Sequence, residues 1–236
     1  MGSFRFKQFE VKQADHVFKV GTDGVLLGAW FQPLAPHTSL NLADWGAGTG
    51  LIGLMLAQKF TEAKIDLIEA DSDAFQLLRE NCAQNKWVHQ LNPIHTSIST
   101  LSSALKWDAV ISNPPYFENS MVPTERLTHA RHQVNFNLSQ WIQYAHRHTA
   151  ENGELAMILP LGSFQKLKSN AEIMGWNLHR ITRVKGNSTA PVKRVLVHWV
   201  KDFVVETFED ELIIEKARHD YTNPYRALTK DFYLNF

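Results

Sequence analysis

"SLNLADWGAGTGLIGLMLAQKF", residues 39–60, reads as a strand, a glycine-rich turn and a helix in immediate succession. Ser39–Trp45 is predicted as a strand and Leu51–Phe60 as a helix, with Gly46, Gly48 and Gly50 between them. Glycines there allow tight turning and let a ligand approach the free N–H groups at the helix start. Read from Gly46, the spacing is G-x-G-x-G; the dinucleotide pattern G-x-G-x-x-G is not met, because Leu51 falls at its third position. Asp44 stands just upstream, and Glu69 ends the next predicted strand, where an acid can accept hydrogen bonds from ribose hydroxyls. Turn, strand–helix context and acid together point to a bound nucleoside cofactor.

Working outward, the same rhythm continues. Lys64–Asp71 is predicted as a strand, Ser72–Asn85 as a helix, and Asn92–Ile98 and Trp107–Asn113 as further strands. A helix over Leu138–Thr149, a strand over Gly153–Pro160 and a helix over Gly162–Gly175 follow. Trp176–Lys185 and Arg194–Lys201 close the series with no helix between them, so that pair is predicted antiparallel while the earlier strands run parallel. Upstream, Phe4–Val11 suggests a short strand or hairpin arm and Gly24–Phe31 a short apolar helix. The expectation is one doubly wound α/β domain over residues 1–236, with 1–36 as an N-terminal arm and 203–236 as a C-terminal extension.

At the end of the predicted strand Trp107–Asn113 stands "NPPY", Asn113 to Tyr116. Ligands of open parallel sheets bind outside the carboxyl ends of the strands, so Asn113 is directed toward the crevice. A planar primary amine, such as the exocyclic amine of a base, has a conjugated and weakly nucleophilic lone pair. Acceptors on its two N–H bonds, the Asn113 side-chain oxygen and the Pro114 carbonyl, hold it and favour pyramidalisation. Pro114 and Pro115 fix φ and keep that carbonyl rigid. Tyr116 offers a stacking surface, worth about 1–3 kcal/mol for a base.

Composition excludes little else. Twenty-four Lys and Arg balance 24 Asp and Glu, so whole-molecule charge announces no nucleic-acid partner. Residues 157–201, however, carry one acid, Glu172, against eight bases, and residues 202–220 reverse the balance with seven acids. The basic stretch fits either a modest polyanion-binding face or a solvated surface. Cys82 is the single cysteine, which rules out an internal disulfide or a cysteine-based zinc cluster. His129, His132, His146 and His148 lack an acid or cysteine to complete a metal site, so no metal is expected. No signal pattern or membrane-length apolar run is present, which gives the expectation of a cytoplasmic location without an obligate protein partner.

The glycine turn with Asp44 and Glu69 resembles the first two motifs of the class I S-adenosylmethionine-dependent methyltransferases, and Asn113–Tyr116 matches the N-P-P-Y motif of members acting on planar amino nitrogens. The resemblance implies a Rossmann-like, seven-stranded, mostly parallel sheet with an antiparallel C-terminal hairpin. It also implies S-adenosylmethionine near Asp44, Gly46, Gly48, Gly50, Glu69 and Asn113. An acid usual near the adenine in this family is missing, since 95–100 reads "HTSIST", so the adenine contact is unassigned. "FKVGTDGVLLGAW" (18–30), "ARH" (130–132) and "YRALTKDFYL" (225–234) are similar to the bacterial valine-tRNA adenine-N6 methyltransferases, which modify the adenosine 3′ of the anticodon. This resemblance implies tRNA as partner and Lys19, Thr22 and Asp23 near the cofactor. A helix start capped by Thr22 or Asp23 accounts for those two residues equally well. Arg131 and His132 would lie on the substrate side, and Lys185, Lys193 and Arg194 are candidate phosphate contacts. Protein glutamine methylation is the alternative, disfavoured because about forty residues before Asp44 leave no room for the helical N-terminal domain of those enzymes. A non-catalytic adaptor is disfavoured by the intact amide of Asn113.

Overall fold

The buried strand Asn41–Trp45 (β3) lies at the centre of an eight-stranded sheet and organises everything around it. The structure, a computed structural model, describes residues 2–14, 20–34, 39–115, 138–201 and 206–236. Two short strands, Gly2–Arg5 (β1) and Glu10–Gln13 (β2), form an antiparallel hairpin ahead of helix Thr22–Trp30 (α1). After β3 come helix Leu51–Lys59 (α2), strand Lys64–Glu69 (β4), helix Ser72–Ala83 (α3) and strand Leu91–His95 (β5). Strand Trp107–Ser112 (β6), helix Leu138–His148 (α4), strand Thr149–Pro160 (β7) and helix Leu161–Ile173 (α5) follow. The chain closes with strands Trp176–Lys185 (β8), Arg194–Lys201 (β9) and Phe208–Ile213 (β10), a small hairpin of Glu215–Ala217 (β11) and Asp220–Tyr221 (β12), and helix Asn223–Thr229 (α6).

The sheet order is β10-β8-β9-β7-β6-β3-β4-β5. Strand β9 is antiparallel to both neighbours, β7 and β8, because the short β8–β9 link reverses the chain into a gap left by the α5 crossover. The sheet therefore contains the expected parallel series and antiparallel hairpin. It also has one strand more than expected: β10 pairs in parallel with β8 at the edge. Because β9 ends beside the start of β8, at the Trp176–Lys201 pair, a short link suffices to begin that added strand.

Alternation along the strands supplies two apolar layers. Leu42, Ile111, Ile158 and Leu196 face α1 and α2, while Trp45, Val110, Met157 and Val197 face α4 and α5. Trp45, Trp176 and Trp199 are fully buried in the second layer. Each large side chain buried there stabilises the fold by roughly 2–3 kcal/mol through area removed from water.

The two ends of the chain meet over the first layer. Lys7 donates from Nζ to the carbonyl oxygens of Lys230 and Phe236, both at 2.6 Å. Phe4 and Phe6 pack on Tyr233, and Phe6 stacks on Phe9 at 4.6 Å. At the C-terminal end of α1 the Lys59 ammonium donates to the carbonyls of Gly28, Ala29 and Phe31, satisfying groups that a helix end leaves open. Burial lowers the Lys59 pKa to about 7.

The two described histidines of the sequence's His146-x-His148 pair serve packing. His148 contacts the Leu105 carbonyl at 3.1 Å, and His146 meets the Trp176 ring edge-on. Among the described residues, no group of three or more His, Cys, Asp or Glu stands together as a metal site. No helix among them is long and apolar enough to cross a membrane.

Candidate active site at the carboxyl ends of the strands

From β3 the chain builds outward to β4 and β5, then crosses back to lay β6 on the other side of β3. This reversal opens a crevice beyond the carboxyl ends of β3 and β6, the position where open α/β sheets bind ligands. Trp45 and Ser112 are register partners, and the Ser112 hydroxyl donates to the Trp45 carbonyl at 2.8 Å. One residue beyond this pair stand Gly46 on one strand and Asn113 on the other. Two motifs more than sixty residues apart thus meet at the lip of one crevice. Pro114 is buried, and Asn113 and Pro115 are half-buried. Tyr116 lies outside the described residues.

The turn after β3 needs its glycines. Gly46, Gly48 and Gly50 have φ of 70°, 55° and 85°, in the left-handed region. At Gly50 a Cβ would also meet Leu78 Cδ1 at 2.7 Å. Gly53, one turn into α2, was not anticipated as part of the site, and there a Cβ would stand 2.4 Å from Leu67 Cδ2. Its absence lets α2 sit close on β4 and brings the Gly53 N–H to Asp44 Oδ2 at 2.9 Å. The signal was present in the sequence: read from Gly48 instead of Gly46, Gly48-x-Gly50-x-x-Gly53 completes the dinucleotide pattern that the first reading found broken at Leu51.

Two acids face this turn. Asp44 has no exposed surface, and its Oδ1 is buried without a hydrogen-bond partner among the described residues. Burial, opposed by the Gly53 N–H and reinforced by the charge of Glu69, pushes its pKa up to about 7. Glu69, at the end of β4, accepts from Gly48 N–H and Asp71 N–H, both at 2.8 Å. Its pKa is also raised, by burial, against the pull of those backbone donors. A desolvated carboxylate with one oxygen unanswered, as in Asp44, favours a ligand that brings positive charge or a hydrogen-bond donor.

The remaining predicted residues fall into separate groups. The N-cap of α1 is Gly21 with no side-chain cap bond, so neither Thr22 nor Asp23 caps that helix. Asp23 instead pairs with Arg194, 2.8 Å from its Nε, joining a predicted cofactor residue to a predicted phosphate contact. Lys185 pairs with Glu211 at 2.8 Å, Arg183 with Glu209 at 3.2 Å and Arg180 with Asp210 at 2.8 Å. The acidic strand β10 thereby pairs with the basic strand β8 through these three ion pairs. Lys193 lies at the exposed end of the β8–β9 link. Lys19, Arg131 and His132 lie outside the described residues. Near the end of β5, the Ser97 side chain accepts from Ser99 N–H in a short turn.

A family model described as the methyltransferase small domain matches residues 29–168, more than half of the chain, and the chain belongs to that family. A solved structure of a predicted O-methyltransferase from Agrobacterium tumefaciens shares the fold, with a TM-score of 0.70 at 19% identity over 89% of this chain and 96% of that one. More narrowly, the chain is 39% identical to a relative from Flavobacterium johnsoniae over 98% of this chain and 99% of the relative. It is 37% identical to one from Christiangramia forsetii over 98% and 97%. Both relatives are named tRNA1(Val) (adenine(37)-N6)-methyltransferase.

S-adenosylmethionine is the methyl donor of these enzymes, and the residues present fit it. Asp44 Oδ1 lacks a donor, and the space where a Gly48 side chain would stand holds no atom within 4 Å.

Proposed function

We propose that this chain methylates the exocyclic N6 of adenosine in tRNA, at adenosine 37 of a valine tRNA. One observation carries the reading: the glycine turn of β3 and Asn113-Pro114 at the end of β6 stand side by side, one residue past the Trp45–Ser112 pair. Methyl-donor residues and amine-holding residues are then neighbours. The full-length similarity to the two relatives named above supports the choice of tRNA.

The cofactor supplies a methyl group already activated on a sulfonium, so positioning can account for most of the rate. Asp44 and the backbone of Gly46, Gly48 and Gly50 hold its amino-acid end, and Glu69 accepts from the ribose hydroxyls with the lone pairs its backbone donors leave open. Lys19, Thr22 and Asp23 border the cofactor. Asn113 accepts one N–H of the adenine amine and the Pro114 carbonyl the other, while Pro115 keeps that carbonyl rigid and Tyr116 stacks on the base. The displaced proton leaves to solvent after transfer. Arg131 and His132 face the substrate, and Lys193 and Arg194 meet RNA phosphates. Lys185, held by Glu211, contributes less than the sequence suggested. Residues 1–236 act as one domain, a reading supported by the bonds that tie Lys7 to the C-terminal segment.

The test is incubation with labelled S-adenosylmethionine and total tRNA from a strain lacking this enzyme, followed by nucleoside mass spectrometry. N6-methyladenosine in the valine tRNA is the expected product. Unlabelled tRNA together with a labelled protein glutamine would overturn the reading.

A further inference from the structure

Asn81 lies on α3 with no exposed surface and has been given no role above. Its amide nitrogen donates to the Thr49 carbonyl at 2.8 Å and to the Lys12 carbonyl at 3.1 Å. Its Oδ1 accepts from the Lys12 N–H at 2.9 Å and from Gln84 Nε2 at 3.1 Å. A side-chain amide offers two donor protons and two acceptor lone pairs, and all four are used here. Thr49 is the residue between Gly48 and Gly50, so its carbonyl orientation and the orientation of the Gly50 N–H belong to one peptide plane. Two of the other three contacts, to the Lys12 N–H and carbonyl, lie on β2, in the N-terminal hairpin.

Strand β2 has a second fixed point. Gln13 Oε1 accepts the Val20 N–H at 2.8 Å, next to Gly21, Thr22 and Asp23. One strand of the arm is therefore tied through Asn81 to the glycine turn and through Gln13 to the segment that opens α1. An arm serving only as an added RNA contact would need neither tie.

We propose that Asn81 is a positioning residue for S-adenosylmethionine: it sets the Thr49–Gly50 peptide and makes the N-terminal hairpin a structural part of the cofactor site. The inference rests on the glycine turn being that site, as read above. Asn81→Asp keeps shape and the acceptor for Lys12 N–H, but turns a carboxylate oxygen toward the Thr49 and Lys12 carbonyls. Lys12→Pro removes the arm's N–H and the Lys12 side chain and sets a ring carbon toward Asn81 Oδ1; Lys12→Ala removes the side chain, with its Glu80 ion pair at 3.1 Å, and keeps the N–H. Proline is tolerated on such an edge strand.

The measurement is titration of each variant with S-adenosylmethionine, with no tRNA present, alongside hydrogen exchange at the Thr49 and Gly50 amides. Asn81→Asp should raise Kd about tenfold or more, Lys12→Pro about threefold, and Lys12→Ala less than about twofold. Faster exchange at Gly50 should accompany the first two, and kcat at saturating cofactor should change less than KM. Gly48→Val serves as the reference. If it binds normally, the glycine turn is not the cofactor site and both readings fall. If it loses binding while Asn81→Asp stays within about twofold of the wild type, only the role of Asn81 falls. Should Asn81→Asp not fold, equal affinities for Lys12→Pro and Lys12→Ala would overturn the coupling of arm to site.

Discussion

Two sets of acids in this protein behave in opposite ways. Asp44 is buried and Glu69 half-buried around a backbone turn, both have raised pKa values, and one oxygen of Asp44 has no partner among the described residues. Glu209, Asp210 and Glu211 stand on an edge strand, and each faces a base of β8. The first set costs the free protein stability that a cationic, hydroxyl-bearing ligand restores. The second set is already answered by its own chain. In the first set one oxygen, Asp44 Oδ1, is left unanswered among the described residues, and Glu69 is met by backbone N–H groups alone. In the second every acid has a basic side chain opposite it.

The largest expected effect tests whether the unanswered acids and the amine-holding residues do separate jobs. Asn113→Ala should lower kcat by about three orders of magnitude, the range for loss of a preorganised transition-state contact, while the Kd of S-adenosylmethionine changes less than about threefold. Equal losses in single-turnover and binding measurements would make Asn113 chiefly a cofactor ligand.

Asp44→Asn comes next and should weaken cofactor binding by about tenfold or more, as loss of a charged hydrogen-bond partner does. It also has a signature in pH. In the folded protein burial pushes the Asp44 pKa from its ordinary 3.8 up to about 7, so the carboxyl keeps a proton until then. The unfolded chain binds fewer protons in that window, so this group's contribution to stability falls as pH rises from about 4 to about 7. Thermal melts across that window should show a flatter pH dependence in Asp44→Asn. An unchanged profile would mean that burial is not what distinguishes this acid.

Gly53→Ala probes the packing that brings the Gly53 N–H to Asp44. With Leu67 Cδ2 only 2.4 Å from the new Cβ, α2 or Leu67 must shift. Urea unfolding should show a loss of about 1–3 kcal/mol, the usual range for overpacking. A neutral result would show that α2 can move off β4 freely.

The smallest effect concerns the answered set. Glu209→Gln with Glu211→Gln frees Arg183 and Lys185, and tRNA affinity should rise about two- to fivefold with a steeper salt dependence. Stability should change by less than about 1 kcal/mol, since these pairs are half-exposed. Filter binding across a salt series checks both halves, and an unchanged slope would remove the β8 edge from the RNA surface.

The local features of the site were legible in the chain because they are local. A glycine turn between a strand and a helix, an acid one strand later and an amide before two prolines each need only neighbouring residues to be recognised. Gly53 could have been read too, had the pattern been started from Gly48. The added strand β10 was missed because its partner β8 is reached only after a reversal through β9. The ion pairs of β8 with β10 were not legible, because sequence shows charges without their partners.

Sequence alone thus determined the chemistry: which groups can hold a methyl donor and a planar amine, and in what order the strands and helices arise. Backbone dihedrals and hydrogen-bonding capacity belong to individual residues, so they can be read one residue at a time. Only the tertiary structure decided which of these groups meet. It joined Gly46 to Asn113 across β3 and β6, Asp23 to Arg194, and the arm to the glycine turn through Asn81. It also buried Asp44, whose Oδ1 has no partner among the described residues, and burial depends on the whole surrounding core.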